Sequence, residues 1–223
     1  MRRLLFLVGA IVFVDTMFFA ALTPLLPHYT DELGLGKTGA GVLQAAYPAG
    51  TFLGAVPSGI VAARLGVKRT VLGGLATLAL ASLAFAFAGS AWQLDAARFV
   101  QGLSSSFSWT GGLAWLVAAA PAGQRGRLIG TAMGVAIGGA LFGPVVGGVA
   151  SVAGPRPAFG AIAALAALLL AWAARTPAAS PGRPQPVAAL GRALRARPVV
   201  AAVWLVTLPA LLFGTLSVLA PLR

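Results

Sequence analysis

Residues 134–148 read GVAIGGALFGPVVGG, six glycines and one proline inside a segment apolar enough to cross a bilayer. Glycine weakens a helix, so a run of it in a span needs a packing reason. Gly134, Gly138, Gly143 and Gly147 recur at intervals of four and five, which predicts one helical face that a neighbouring backbone approaches closely. Pro144 removes an amide from the middle of that helix, and in lipid the freed carbonyl has to be satisfied by a neighbouring helix, a side chain or a buried water. Such a helix is built to pack and to bend. A lipid-facing anchor has no use for it.

The rest of the chain shares the apolar character. Hydrophobic residues make up 59% of the 223 residues and charged ones 9%, with a mean hydropathy of +0.92. These values lie outside the range of soluble domains. Apolar segments fall at about 4–27, 40–63, 70–89, 92–120, 128–152, 157–174 and 198–220, most of them near the roughly 20 residues that a helix needs to cross a bilayer. Seven spans follow, and none shows the short alternation of an outer-membrane barrel. The expected fold is therefore an all-α polytopic membrane protein, placed by its helical spans in the cell's inner (plasma) membrane.

The net charge of +12 does not imply nucleic acid, because the bases are spread over loops and form no stripe on one domain. Their distribution reports topology. With the amino terminus cytoplasmic, the inside carries twelve: Arg2, Arg3, Arg64, Lys68, Arg69, Arg125, Arg127, Arg175, Arg183, Arg192, Arg195 and Arg197. The outside carries three, Lys37, Arg156 and Arg223, and Arg98 lies within a span. That asymmetry sets the orientation by the positive-inside rule. Met1–Val14 shares two arginines and an apolar run with a secretory signal, but the apolar stretch continues to Pro27 and no cleavage site precedes a polar domain. The chain has no cysteine, so it holds neither a disulfide nor a thiolate metal site, and no other residue pattern suggests a metal or cofactor.

The connections organise the spans. Arg64–Arg69 and Pro121–Arg127 are short and basic and make tight hairpins. Thr176–Pro198 is longer and rich in Pro, Ala and Arg, which reads as a linker between bundles. Three regions are expected: a six-helix bundle over 1–175, a cytoplasmic linker over 176–197, and a further helix over 198–223. Within the linker, Val187–Arg195 has the spacing of a short basic surface helix. The second span carries a small-residue ladder, Ala46, Gly50, Gly54, Ser58 and Ala62, which predicts another helix lying close against it, and Pro48 and Pro57 in the same span predict bending.

Two charges lie within spans. Asp15 sits about eleven residues, roughly 16 Å of helix, into the first span, near the bilayer midplane. A carboxylate at that depth is costly to ionise, which makes it a candidate proton carrier, with a structural hydrogen bond as the alternative. Arg98 lies in LDAARFVQG, residues 94–102. An arginine inside a span costs about 2.5–3.5 kcal/mol, so it needs a partner or a wet cavity unless it snorkels to the headgroups. Asp95, one turn earlier, is a candidate local partner.

Taken together, four motifs resemble the major facilitator superfamily. GIVAARLGVKR at 59–69 is similar to the superfamily's loop between its second and third helices, Gly-x-Leu-Ala-Asp-Arg-x-Gly-Arg-Lys. Gly59, Ala62, Arg64, Gly66 and Lys68 match it. Ala63 stands where the family has its aspartate, so the charge cluster that this aspartate joins is missing here. Arg98, Gln101 and Gly102 match the family's Arg-x-x-Gln-Gly element in the fourth helix. Asp15 followed by Pro24 and Pro27 resembles the first helix of proton-coupled drug and amine exporters. Gly139, Gly143, Pro144, Gly147 and Gly148 match the Gly-x-x-x-Gly-Pro-x-x-Gly-Gly motif of the fifth helix in the drug/proton antiporter branch.

The resemblance implies the amino-terminal six-helix bundle of a secondary active transporter plus its seventh helix. The implied activity is proton-coupled efflux of small amphipathic compounds, with Asp15 and Arg98 in the proton path and the small substrate, protons and the lipid bilayer as partners. Members usually have twelve helices in two bundles, so the chain reads as a truncated form whose carboxy-terminal half is a further partner. The glycine face of the fifth span and the ladder of the second would then meet that half. The alternatives are uptake of a sugar or other metabolite, and an inactive fragment. An enzyme is disfavoured: Ser104–Ser106 offer hydroxyls, but the one histidine, His28, lies at the far end of the first span and no nucleophile elbow exists. Phe18, Phe19, Phe107, Trp109 and Trp115 are candidates for an apolar cavity lining.

Overall fold

The computed structural model describes residues 1–121, 123–178 and 195–219. Within them the chain is helical between short connections, with no strand. The predicted linker helix at 187–195, the bulk of the linker, and Arg183, Arg192 and Arg223 lie outside the described residues, apart from Arg195.

Helix α1 runs Arg2–Ala21. A 3-10 turn at Thr23–Leu25 and a short helix α2, Leu26–Leu33, continue it. The break coincides with Pro24 and Pro27, which supply no amide to an α-helical ladder. Helix α3 spans Lys37–Leu65, α4 Val67–Ala86, α5 Ala91–Ala119, α6 Arg125–Ala153 and α7 Pro155–Arg175. Two of the joints are a single glycine. Gly66 (φ +90°) ends α3 and starts α4, and Gly154 (φ +93°) does the same between α6 and α7. Both lie where a side chain is strained, so these hairpins depend on glycine.

The chain divides into two compact units, Met1–Gly182 and Arg183–Arg223. The second contains α8, Arg197–Leu219. In it Val203, Trp204, Leu205 and Leu208 are exposed apolar side chains.

Four helical segments of the first unit are long and apolar enough to cross a membrane: Arg2–Leu33, α4, α6 and α7. Helices α3 and α5 are as long as α6, 29 residues each, but Gly, Ser, Thr and Pro lower their hydropathy. Those residues face one another. The Ser58 and Thr110 hydroxyls lie 3.0 Å apart, and Thr51 donates to the Gly102 carbonyl at 3.1 Å. The small and polar content of the two helices is thus consumed in their mutual contact, consistent with helix pairing in lipid.

The bundle is held by the pairs α3/α5, α1/α6, α4/α5 and α4/α7. The ladder Gly50, Gly54 and Ser58 is buried as expected, but it lies on α5 inside the same bundle, with Ala46 and Ala62 only half-buried. It is not an interface to a missing half. The same correction applies to α6. Its closely packed face is Ala132, Ala136, Gly139, Gly143, Gly147 and Ala150, and it lies on α1. Gly134 is exposed with no close neighbour, and Gly138 touches only the tip of Phe13. Intervals of three and four track a helix of 3.6 residues per turn, whereas the step of five from Gly138 to Gly143 drifts off the face.

Candidate functional site

The glycine contacts place α1. Added β-carbons on Gly139, Gly143 and Gly147 would collide with carbonyl oxygens or side chains of Phe13, Thr16, Met17, Ala20 and Ala21. Thr16 Oγ1 reinforces the pair by donating to the Ala136 carbonyl at 2.7 Å. Three of the five antiporter-motif residues therefore hold the helix that carries Asp15. Pro144 faces outward and Gly148 is half-buried without a close neighbour.

A second close approach places Tyr47. A β-carbon on Gly102 would collide with the Tyr47 carbonyl oxygen, and one on Gly50 would collide with that of Phe99. This reciprocal pair brings α3 and α5 together, so that Tyr47 reaches the bundle interior next to Asp15.

Asp15 is 3% exposed. Its Oδ1 accepts a hydrogen bond from the Tyr47 hydroxyl at 2.8 Å. Its Oδ2 accepts from Ser105 Oγ and Trp109 Nε1, both at 2.7 Å. Three donors from two other helices converge on one carboxylate, the satisfaction that a buried acid requires. Arg98 is fully buried, which excludes snorkelling. It makes no ion pair with Asp95; among the described residues the one ion pair is His28–Glu32. Instead the guanidinium lies between the rings of Phe18 and Tyr47, 5.0 and 4.8 Å from their centroids. It donates at 3.4 Å to Gln101 Oε1 and to the Phe19 carbonyl. Gln101 in turn reaches the Ala81 carbonyl at 3.4 Å and Ser82 Oγ at 3.5 Å. Asp15 and Arg98 thus meet through Tyr47, whose hydroxyl serves the carboxylate and whose ring faces the cation.

Among the residues singled out from sequence, Asp15, Arg98, Gln101 and Gly102 are gathered in this interior. Gly59, Arg64, Gly66 and Lys68 stand at the opposite end from His28, where Lys68 Nζ donates to the Ala174 carbonyl at 2.8 Å. That contact caps the last turn of α7 with a positive charge. Arg64 is exposed in the last turn of α3. Of the proposed cavity aromatics, Phe18 and Trp115 are core residues instead, and Trp109 serves Asp15.

Sequence reasoning missed Tyr47 and Ser105. A signal existed for the second, because Arg98, Gln101, Ser105 and Trp109 fall on one helical stripe at steps of three, four and four. Ser104 and Ser106, by contrast, only bond their own helix, at the carbonyls of Gln101 and Leu103.

A buried acid, a buried arginine and a motif-bearing helix set against α1 invite comparison with known transporters. The chain is 32% identical over 175 residues to the MFS-type transporter ppzB of Metarhizium rileyi, covering 72% of this chain and 34% of that protein. It is 24% identical over 148 residues to the quinolone resistance protein NorA of Staphylococcus aureus, covering 66% and 38%. A solved D-xylose–proton symporter superposes with a TM-score of 0.69 at 15% identity, over 95% of this chain and 54% of that one. The chain therefore spans about a third of the length of these curated relatives. The family model of the Major Facilitator Superfamily matches residues 8–222, and the chain, a multi-pass membrane protein, belongs to that superfamily.

Proposed function

We infer that this bundle serves proton-coupled efflux of small amphipathic compounds, with Asp15 as the proton carrier and Arg98 as its electrostatic partner. The observation that carries the reading is the convergence of Tyr47, Ser105 and Trp109 on a carboxylate buried beside a buried arginine. Both side chains are costly to place there, and a function that moves a proton explains why they are present. The glycine motif on α6 supports the antiporter direction, because it grips the very helix that carries the acid. NorA, a drug-resistance protein by name, supports the same substrate class. The solved xylose symporter supports a second reading, uptake of a polar metabolite.

The bundle of 1–175 works in this proposal against a second bundle, to which 198–223 contributes the first helix and 176–197 the cytoplasmic connection. The asymmetry of twelve bases against three expected from the sequence, with Arg64 and Lys68 at the end opposite His28, favours a cytoplasmic amino terminus in the inner membrane. The His28 end then faces outward. No enzymatic chemistry, metal or cofactor is invoked. The test is Asp15→Asn in vesicles with an imposed pH gradient, using a fluorescent amphipathic cation and, separately, a labelled sugar. Loss of gradient-driven cation efflux with retained protein supports the reading. Efflux unchanged at every pH, or sugar uptake alone, refutes it.

A further inference from the structure

Five buried side-chain polar atoms among the described residues have no hydrogen-bond partner: the Tyr29 hydroxyl, Gln44 Oε1, Ser90 Oγ, Arg98 Nε and Ser108 Oγ. Four of the five share one region. Tyr29 on α2, Gln44 one turn before Tyr47 on α3, Ser90 ahead of α5 and Arg98 on its second turn all lie between the His28 end of the bundle and Asp15. Native interiors rarely leave such atoms unpaired, and where they cluster the usual partner is ordered water.

One of the four, Tyr29, also lines an opening. A cavity of about 380 Å³ at that end is lined by His28, Tyr29 and Glu32, with Phe85 at the end of α4 and Arg156 at the start of α7. The titratable and charged groups facing it are His28, Glu32, Tyr29 and Arg156; the linings from α4 and α6 are apolar. His28 pairs with Glu32 at 3.1 Å and both are open to solvent. Tyr29 is only 4% exposed. A chain of ring contacts runs inward beside it: Tyr29 to Phe85 (5.6 Å), Phe85 to Phe159 (4.3 Å), Phe159 to Phe18 (5.5 Å), and Phe18 to the Arg98 guanidinium.

The geometry points to a hydrated proton route from the His28 end to Asp15. It runs from the cavity past the Tyr29 hydroxyl and Arg98 Nε to Tyr47, whose hydroxyl already donates to Asp15. Along it only O–H bonds break and form. Each water or hydroxyl oxygen receives one proton and passes one on, Asp15 is the acceptor or donor at the inner end, and Arg98 keeps its protons while orienting the water beside it. The route rests on the reading of Asp15 as proton carrier and adds the side from which that carrier is loaded.

The chain has four acidic side chains, Asp15, Asp31, Glu32 and Asp95, so labelling at Asp15 is readily resolved by mass spectrometry. The full chain is placed, in one orientation, in vesicles of phosphatidylethanolamine and phosphatidylglycerol, with the pH set independently on each side. Dicyclohexylcarbodiimide, which modifies protonated carboxyls in apolar surroundings, reports the protonation of Asp15. In the wild type, labelling falls as pH rises on the His28 side, up to roughly tenfold per unit once the ionised form dominates. Tyr29→Phe keeps the ring and removes only an unpartnered hydroxyl. Its melting temperature stays at the wild-type value, while the dependence on His28-side pH falls several-fold and labelling comes to follow the other side. If Tyr29→Phe melts below wild type, Gln44→Leu takes its place with the same expectation. Unchanged dependence in the variant, or wild-type labelling that follows only the Lys68 side, overturns the route and leaves Asp15 as a proton carrier. Labelling that ignores pH on both sides overturns the carrier itself, and the route with it.

Discussion

Replacing Gly102 with alanine forces apart the two helices that hold Asp15's hydrogen-bond partners. The new β-carbon would collide with the Tyr47 carbonyl oxygen and lie 2.8 Å from its carbon and 3.0 Å from its Cα. These are backbone atoms, so no rotamer change relieves the contact. Gly50 on the facing side leaves no slack, since its own position already lies against the Phe99 and Leu103 backbone. The helices must separate by on the order of 1 Å, a gap that forfeits a quarter to a half of each contact's dispersion well. Overpacking of this kind costs about 1–3 kcal/mol, and stretching the 2.8 Å bond from Tyr47 to Asp15 adds a loss of about 1–2 kcal/mol. The expected destabilisation is about 2–5 kcal/mol. The assay is thermal unfolding in detergent, followed by tryptophan fluorescence. Gly73→Ala on α4 is the control: that glycine is exposed with nothing within 4 Å of an added β-carbon, and alanine there gains about 0.5–1 kcal/mol of helix stability. A Gly102→Ala protein that melts level with the Gly73→Ala control would falsify the close-approach argument.

Two further substitutions probe the frame around the site. Thr16→Val removes the hydroxyl that bridges α1 to the Ala136 carbonyl and should lower stability by about 1 kcal/mol, with Thr131→Val on the exposed face of α6 as a near-neutral comparison in the same melting assay. Lys68→Met removes the cation at the α7 terminus and should cost about 0.3–1 kcal/mol, shrinking as salt is added; a deficit insensitive to salt would assign the effect to packing instead.

The reach of the sequence is clearest at Asp15 and Arg98. Depth in the span identified both as costly charges in need of partners, because hydropathy and distance along a helix are local quantities. The partners themselves were not legible. Asp95 was the natural candidate for Arg98 by helical spacing, yet the guanidinium turns to two aromatic rings contributed by α1 and α3. Tyr47 carried no signal of its own, since its role depends on a backbone approach made possible by Gly50 and Gly102 on different helices. The glycines of α6 show the same division. Their abundance announced a tightly packed helix, but the chosen face was off by one position at Gly138, and the partner proved to be α1.

What the sequence determined by itself was the apolarity of the helices, the short basic connections between them and which helices carry the motifs. Each follows from the transfer of one segment into lipid or from backbone freedom at one residue. Only the tertiary structure decided which helix lies on which, and hence that one carboxylate collects a tyrosine, a serine and a tryptophan from two other helices. Those contacts join residues 32, 90 and 94 positions apart in the chain. Helix association in lipid is set by shape and hydrogen bonding between whole surfaces, and a periodicity read along a single helix does not name the surface it will meet.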